Sequence, residues 1–137
     1  MKKHTLFIII FSAVILSSCN RQNKINILGD WELLSRPAGY DNLNYRWSFD
    51  DDIVYIMATD AQENEAQTGE IDTCASGSYT IKNGVLTLAL PARPCRGSSY
   101  TGDWEIQTLN ETGMTLKRET DSGTQWYEFQ KGFLQLD

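Results

Sequence analysis

From residue 27 onward, apolar and polar positions alternate with a period of two, in short runs rich in Tyr, Trp, Ile, Val and Thr. Clusters of Gly, Asn and Asp separate the runs. This pattern predicts half-buried strands, and no stretch carries the periodicity of an amphipathic helix. The clearest run is SGSYTIKNGVLTLAL, Ser76 to Leu90. Its Asn83-Gly84 pair is a strong hairpin signal, because both central positions of the tight turn need positive φ. Pairing Lys82 with Val85 then places Ile81 opposite Leu86, Tyr79 opposite Leu88 and Gly77 opposite Leu90 on one face. A slip of one residue would mix this set with the polar one, so the register is well specified.

Two further hairpins read the same way. In LNYRWSFDDDIVYIMA, taking Asp50-Asp51-Asp52 as the connection sets Phe49 against Ile53, Trp47 against Tyr55 and Tyr45 against Met57. In GDWEIQTLNETGMTLKRE, a connection from Leu109 to Gly113 aligns Trp104, Ile106 and Thr108 with Arg118, Leu116 and Met114. Adding GDWELLS and TQWYEFQ predicts about eight strands, near 30–36, 43–49, 53–58, 75–82, 85–90, 101–108, 114–119 and 124–130. The only long gap runs from Thr59 to Thr73. The fold class is all-β: antiparallel strands in chain order, each hairpin with one apolar face, close most easily into a single up-and-down barrel, which leaves no exposed edge.

The N-terminus is different. Lys2, Lys3 and His4 precede eleven uncharged residues, Leu6 to Leu16, too short for the roughly 20 apolar residues of a spanning helix and matched to a secretion signal. The stretch ends in Leu16-Ser17-Ser18-Cys19, which resembles the bacterial lipobox. An ordinary signal peptide with an incidental cysteine is the alternative. The resemblance implies cleavage after residue 18 and acylation of Cys19 by diacylglycerol, often with a further chain such as palmitate on the new amino group. Several chains anchor stably where one binds only marginally. Membrane lipid is then the first expected partner. Asn20 rather than Asp follows the cysteine, so the outer membrane is the expected address. The protein is expected to face the periplasm, with the cell surface left open. Residues 19–26 form a polar tether and 27–137 the barrel domain.

Removing residues 1–18 leaves 119 residues, enough for one domain, with ten basic and eighteen acidic side chains and a net charge of −8. A nucleic-acid partner, which needs a basic face, is excluded. Cys74 and Cys95 remain in an oxidising compartment and are expected to form a structural disulfide, contributing about 3 kcal/mol for a loop of this size. Two free buried thiols are the alternative.

Gly29-Asp30-Trp31 at the start of the first strand resembles the G-x-W that opens lipocalins. Together with GSYTIKNGVLTL in the middle and QWYEF in the last strand, the chain resembles the small lipocalin-like lipoproteins of the Bacteroidetes type. The resemblance implies that Gly29 and Trp31 close one end of the barrel, with a basic side chain from a late strand, Arg118 or Lys131, against the indole.

Enzymatic chemistry is poorly provided for. No histidine follows the cut, so the common nucleophile–base pairs and a His-based zinc site are missing. The carboxylates Asp50, Asp51, Asp52, Asp60, Glu63, Glu65, Glu70 and Asp72 fall in a turn and an acidic loop. They read as a solvated surface rather than an acid–base pair. A Ca²⁺ ion on Asp50-Asp51-Asp52 lacks the spaced ligands of a dedicated loop. No metal or cofactor is expected. Tyr45, Trp47, Tyr55, Tyr79, Trp104 and Trp126 either fill a barrel just wide enough for side chains or line a pocket for a small hydrophobic ligand. The expected function is non-catalytic binding of such a ligand. The alternative is a periplasmic inhibitor or interaction protein acting on lysozyme or a protease, to which acidic charge would steer it. The loop 59–73 is a candidate lid or partner contact.

Overall fold

The computed structural model describes residues 19–34, 43–60, 72–91 and 99–132. Its strands are β1 (Gly29–Leu33), β2 (Leu43–Asp50), β3 (Ile53–Asp60), β4 (Asp72–Lys82), β5 (Val85–Ala89), β6 (Gly102–Leu109), β7 (Gly113–Thr120) and β8 (Gly123–Lys131). Each pairs antiparallel with the next, and β1 pairs with β8 through Trp31↔Lys131, Glu32↔Gln130 and Leu33↔Phe129, closing the sheet. The fold is thus the up-and-down barrel expected, lipocalin-like in architecture. β1 is shorter than expected and starts at Gly29, while β3 and β4 extend into the gap expected from Thr59 to Thr73. The expected signal segment, 1–18, and residues 61–71, most of the acidic loop, lie outside the described residues.

The β4–β5 hairpin has the register read from its sequence, with Lys82↔Val85, Ile81↔Leu86 and Tyr79↔Leu88. Asn83 and Gly84 hold the turn at φ of +53° and +76°.

The β2–β3 hairpin departs from expectation by one residue. Its turn contains only Asp51 and Asp52, with Asp51 at φ +50°, a conformation Asp tolerates. The pairs are therefore Phe49↔Val54, Trp47↔Ile56 and Tyr45↔Ala58, and Ile53, Tyr55 and Met57 turn outward. Both faces of IVYIMA are apolar, so alternation could not decide. Volume does: each large ring of β2 lies beside a smaller side chain of β3 on the wall of a narrow interior. In the β6–β7 hairpin, Ile106↔Leu116 is as expected, but a bulge at Gln107 shifts the rest to Thr108↔Thr115 and Leu109↔Met114. A bulge inserts an extra residue on one strand, which pattern reading does not reveal.

The expected tether is not extended. Residues 19–27 are helical and docked on the barrel. The Asn83 N–H donates to Asn20 Oδ1 at 2.9 Å, Lys24 Nζ pairs with Asp52 at 2.8 Å, and Asn26 Nδ2 donates to the Leu109 carbonyl at 3.5 Å. Ile27 is fully buried. These contacts, rather than an apolar stripe, hold the helix in place. It covers the end of the barrel carrying the turns at 51–52, 83–84 and 110–112, termed here the capped end. The strand ends joined by the β1–β2, β3–β4 and β5–β6 connections lie at the other, the loop end.

Candidate functional site

The interior is aromatic along its length. Near the capped end, the Phe49 and Tyr79 rings stand edge to face at 5.0 Å. Toward the loop end, Trp47 lies among Phe129, Tyr100 and Trp104 at 4.8, 5.2 and 5.8 Å between centroids. Tyr100 also meets Tyr45 at 6.2 Å and Tyr127 at 6.1 Å, and Trp104 meets Tyr127 at 5.0 Å.

Of the six aromatic residues expected to line a pocket, Tyr45, Trp47, Tyr79 and Trp104 are buried inside. Two are not. Tyr55 follows the one-residue shift of β3 to the outer face, opposite Ser48. Trp126 is 52% exposed, beside Lys117 on the outer face, with Lys117 Nζ 5.8 Å from its ring. Along β8, Gln125, Tyr127 and Phe129 face inward in its place. The alternation in TQWYEFQ carried that signal, since two aromatic residues share the Tyr127 face and one the other.

Tyr79 belongs to the capped end. Its hydroxyl donates to the Asp51 carbonyl at 2.6 Å. Burial, and then the carboxylates of Asp52, Asp51 and Asp50, push its pKa up to about 12. Asp51 and Asp52 form a turn tied to Lys24 and Tyr79. Among the described residues, no group of three or more His, Cys, Asp or Glu is placed to hold a metal. No helix among them is long and apolar enough to cross a membrane. Cys19, the expected lipidation site, is exposed and is the only free cysteine described. Cys74 is half-buried where β4 bulges against Ile56 and Met57. Cys95 lies outside the described residues.

At the Gly29–Trp31 motif the basic neighbour is Lys131. Trp31 is fully buried and donates from Nε1 to the Ile27 carbonyl at 2.6 Å. Lys131 Nζ lies 5.1 Å from its ring centroid and donates to the Asn26 carbonyl at 3.1 Å. Gly29 sits at φ +109°, and a β-carbon there would lie 3.2 Å from Lys131 Cε. Glycine therefore meets both the backbone and the space requirement.

No family model, curated protein or solved structure matches the chain.

Its own sequence supplies a comparison instead. Gly-Asp-Trp-Glu occurs twice, at 29–32 and 102–105, and the two copies build the same latch. Gly102 sits at φ +111°. Trp104 is fully buried and donates to the Tyr100 carbonyl at 2.9 Å, as Trp31 does to Ile27. Arg118 from the neighbouring strand stacks over Trp104 at 4.2 Å and donates from Nη2 to the Ser99 carbonyl at 2.9 Å, as Lys131 does over Trp31 and to Asn26. One latch lies at the capped end and the other at the loop end, because β1 and β6 begin at opposite ends of the barrel. Arg118, the other cation considered for Trp31, thus serves the second tryptophan. The repeat was legible in the sequence as a repeated tetrapeptide, and it marks Tyr100 and Arg118 as site residues.

One interior group is left over. Trp31 and Trp104 each give their indole N–H to a carbonyl, whereas the Trp47 indole nitrogen is fully buried and has no acceptor among the described residues.

Proposed function

We propose that this chain is a lipid-anchored, lipocalin-like binding protein of a bacterial envelope that holds a small hydrophobic ligand in the loop-end half of its barrel. The Trp47 N–H carries the reading. A buried donor with no acceptor costs roughly 1–3 kcal/mol, and here it lies amid rings that offer an apolar molecule offset and edge contacts. A ligand with an apolar body and one hydrogen-bond acceptor removes that cost. Anchoring belongs to the same reading: acylated Cys19 ties the capped end to the outer membrane, facing the periplasm, and Cys74 pairs with Cys95.

The test is native mass spectrometry of the protein purified from its own host, followed by tryptophan quenching with the co-purifying molecule or, failing one, an organic extract of the envelope. Trp47→Phe keeps one aromatic ring and removes the donor together with the pyrrole half of the indole. It is expected to weaken binding by about 5- to 30-fold, the equivalent of about 1–2 kcal/mol. Absence of both a bound molecule and any quenching would reject the proposal. A bound polypeptide would favour the inhibitor alternative.

A further inference from the structure

The two latches differ in one respect that bears on what the ligand carries. At the capped end the helix 19–27 lies over Trp31, and Lys131 is a compact ammonium. At the loop end the cation is Arg118, whose guanidinium presents a wide fork of N–H donors. Its side chain follows Met114 and Leu116 along the inward face of β7, and it is half-buried. Gln125 Oε1 accepts from Nε at 2.9 Å and the Ser99 carbonyl from Nη2. Both acceptors are neutral, and the second guanidinium NH₂ group has no partner among the described residues.

Two other cations of the described residues are ion-paired. Lys24 pairs with Asp52, and Lys117 with Glu119 and Glu105, at 2.8, 3.1 and 3.9 Å. No ion pair among the described residues includes Arg118, although burial has already lowered its pKa. Taking a guanidinium out of water without an anion is unfavourable, and a counter-charge offsets that loss. Planar carboxylates match the donor fork in a bidentate way.

We infer that the ligand is an apolar anion, an aliphatic or aromatic carboxylate, whose head seats on Arg118 at the loop end while its body lies against Tyr100, Trp104 and Tyr127. The inference rests on the binding function proposed above and adds the charge of the ligand.

The test uses residues 19–137 with Cys19→Ser, titrated by tryptophan fluorescence with dodecanoate, dodecanol and acetate below their aggregation concentrations. Dodecanoate is expected to bind at least tenfold more tightly than dodecanol. That preference falls as added salt screens the pair and as pH drops through the pKa of the carboxylate in solution. Arg118→Met is expected to bring the dodecanoate-to-dodecanol affinity ratio to about one, and Arg118→Lys to retain part of the preference. If Arg118→Met does not fold, the pH dependence of the dodecanoate-to-dodecanol ratio in the wild-type chain decides. Equal binding of acid and alcohol overturns the inference and leaves a neutral hydrophobic ligand standing. Acetate binding as tightly as dodecanoate overturns it by separating the anion site from the apolar interior. Binding of none of the three overturns both readings.

Discussion

Replacing Lys131 by Met tests whether the capped-end latch stabilises the barrel or merely lies in it. Methionine keeps most of the apolar stem and removes only the ammonium. What is lost is the cation over the Trp31 ring at 5.1 Å and the bond to the Asn26 carbonyl at 3.1 Å. A half-buried cation–π contact contributes about 1 kcal/mol, and a hydrogen bond from a charged donor at the longer end of the range about 1–1.5 kcal/mol. The loss is therefore about 2–2.5 kcal/mol. With a urea m-value of about 2 kcal/mol per molar, the unfolding midpoint drops by roughly 1 M. Urea denaturation of the soluble chain, followed by intrinsic fluorescence and circular dichroism, measures this directly. A double-mutant cycle with Trp31→Phe isolates the pair and is expected to return a coupling of about 1 kcal/mol. Lys117→Met serves as control, because Lys117 meets Trp126 and its two carboxylates on the outer face, where such contacts contribute little. A Lys131→Met shift no larger than that of Lys117→Met, or strict additivity with Trp31→Phe, would refute the latch.

Alkaline titration should expose Tyr79. Its folded pKa of about 12 against an ordinary 10.0 means the unfolded chain releases the phenolic proton first. The stability concerned is complete below pH 10 and is lost as pH rises to about 12, by up to about 3 kcal/mol. Tyr127 is raised as well, chiefly by burial. The diagnostic result is thus a shallower decline for Tyr79→Phe than for wild type, and parallel declines would contradict it. Gly77→Ala should destabilise by about 3 kcal/mol or prevent folding, because a β-carbon there collides with the Ala89 carbonyl oxygen; an unchanged urea midpoint would show that β4 and β5 can separate. Trp126→Ala should leave ligand quenching and affinity unaltered while Trp47→Phe weakens them, and equal effects would mean that the ligand sits on the outer face.

How far the sequence could be read depended on how unequal the two faces of each strand were. In β4 and β5 one face is Tyr79, Ile81, Leu86 and Leu88 and the other is largely Thr, Ser and Lys, so register, turn and burial all followed from pattern. In β3 both faces are apolar, and the choice fell to a turn residue, Asp51, adopting positive φ, which composition does not announce. Trp126 departs for a related reason: residue type alone favours burying a large aromatic side chain, whereas Glu128 and Gln130 on the same face mark it as outward. The Gly-Asp-Trp-Glu repeat was visible at 29–32 and 102–105, but its meaning needed the topology, which sets the two copies at opposite ends. The helix at 19–27 had no signature of its own, since tertiary hydrogen bonds to Asn83 and Leu109 and the Lys24–Asp52 ion pair stabilise it.

That helix bears on the proposed attachment. An extended segment of its length would act as a leash, letting the barrel tumble at some distance from the bilayer. Coiled at 1.5 Å per residue it spans only about 13 Å, and its contacts with the turns absorb the slack. Under the proposed acylation of Cys19, the capped end would face the lipid, and the loop end with the Arg118–Trp104 latch would point away from it. In that arrangement a molecule arriving through the aqueous compartment would meet the loop end first, whereas one diffusing within the leaflet would meet the capped end.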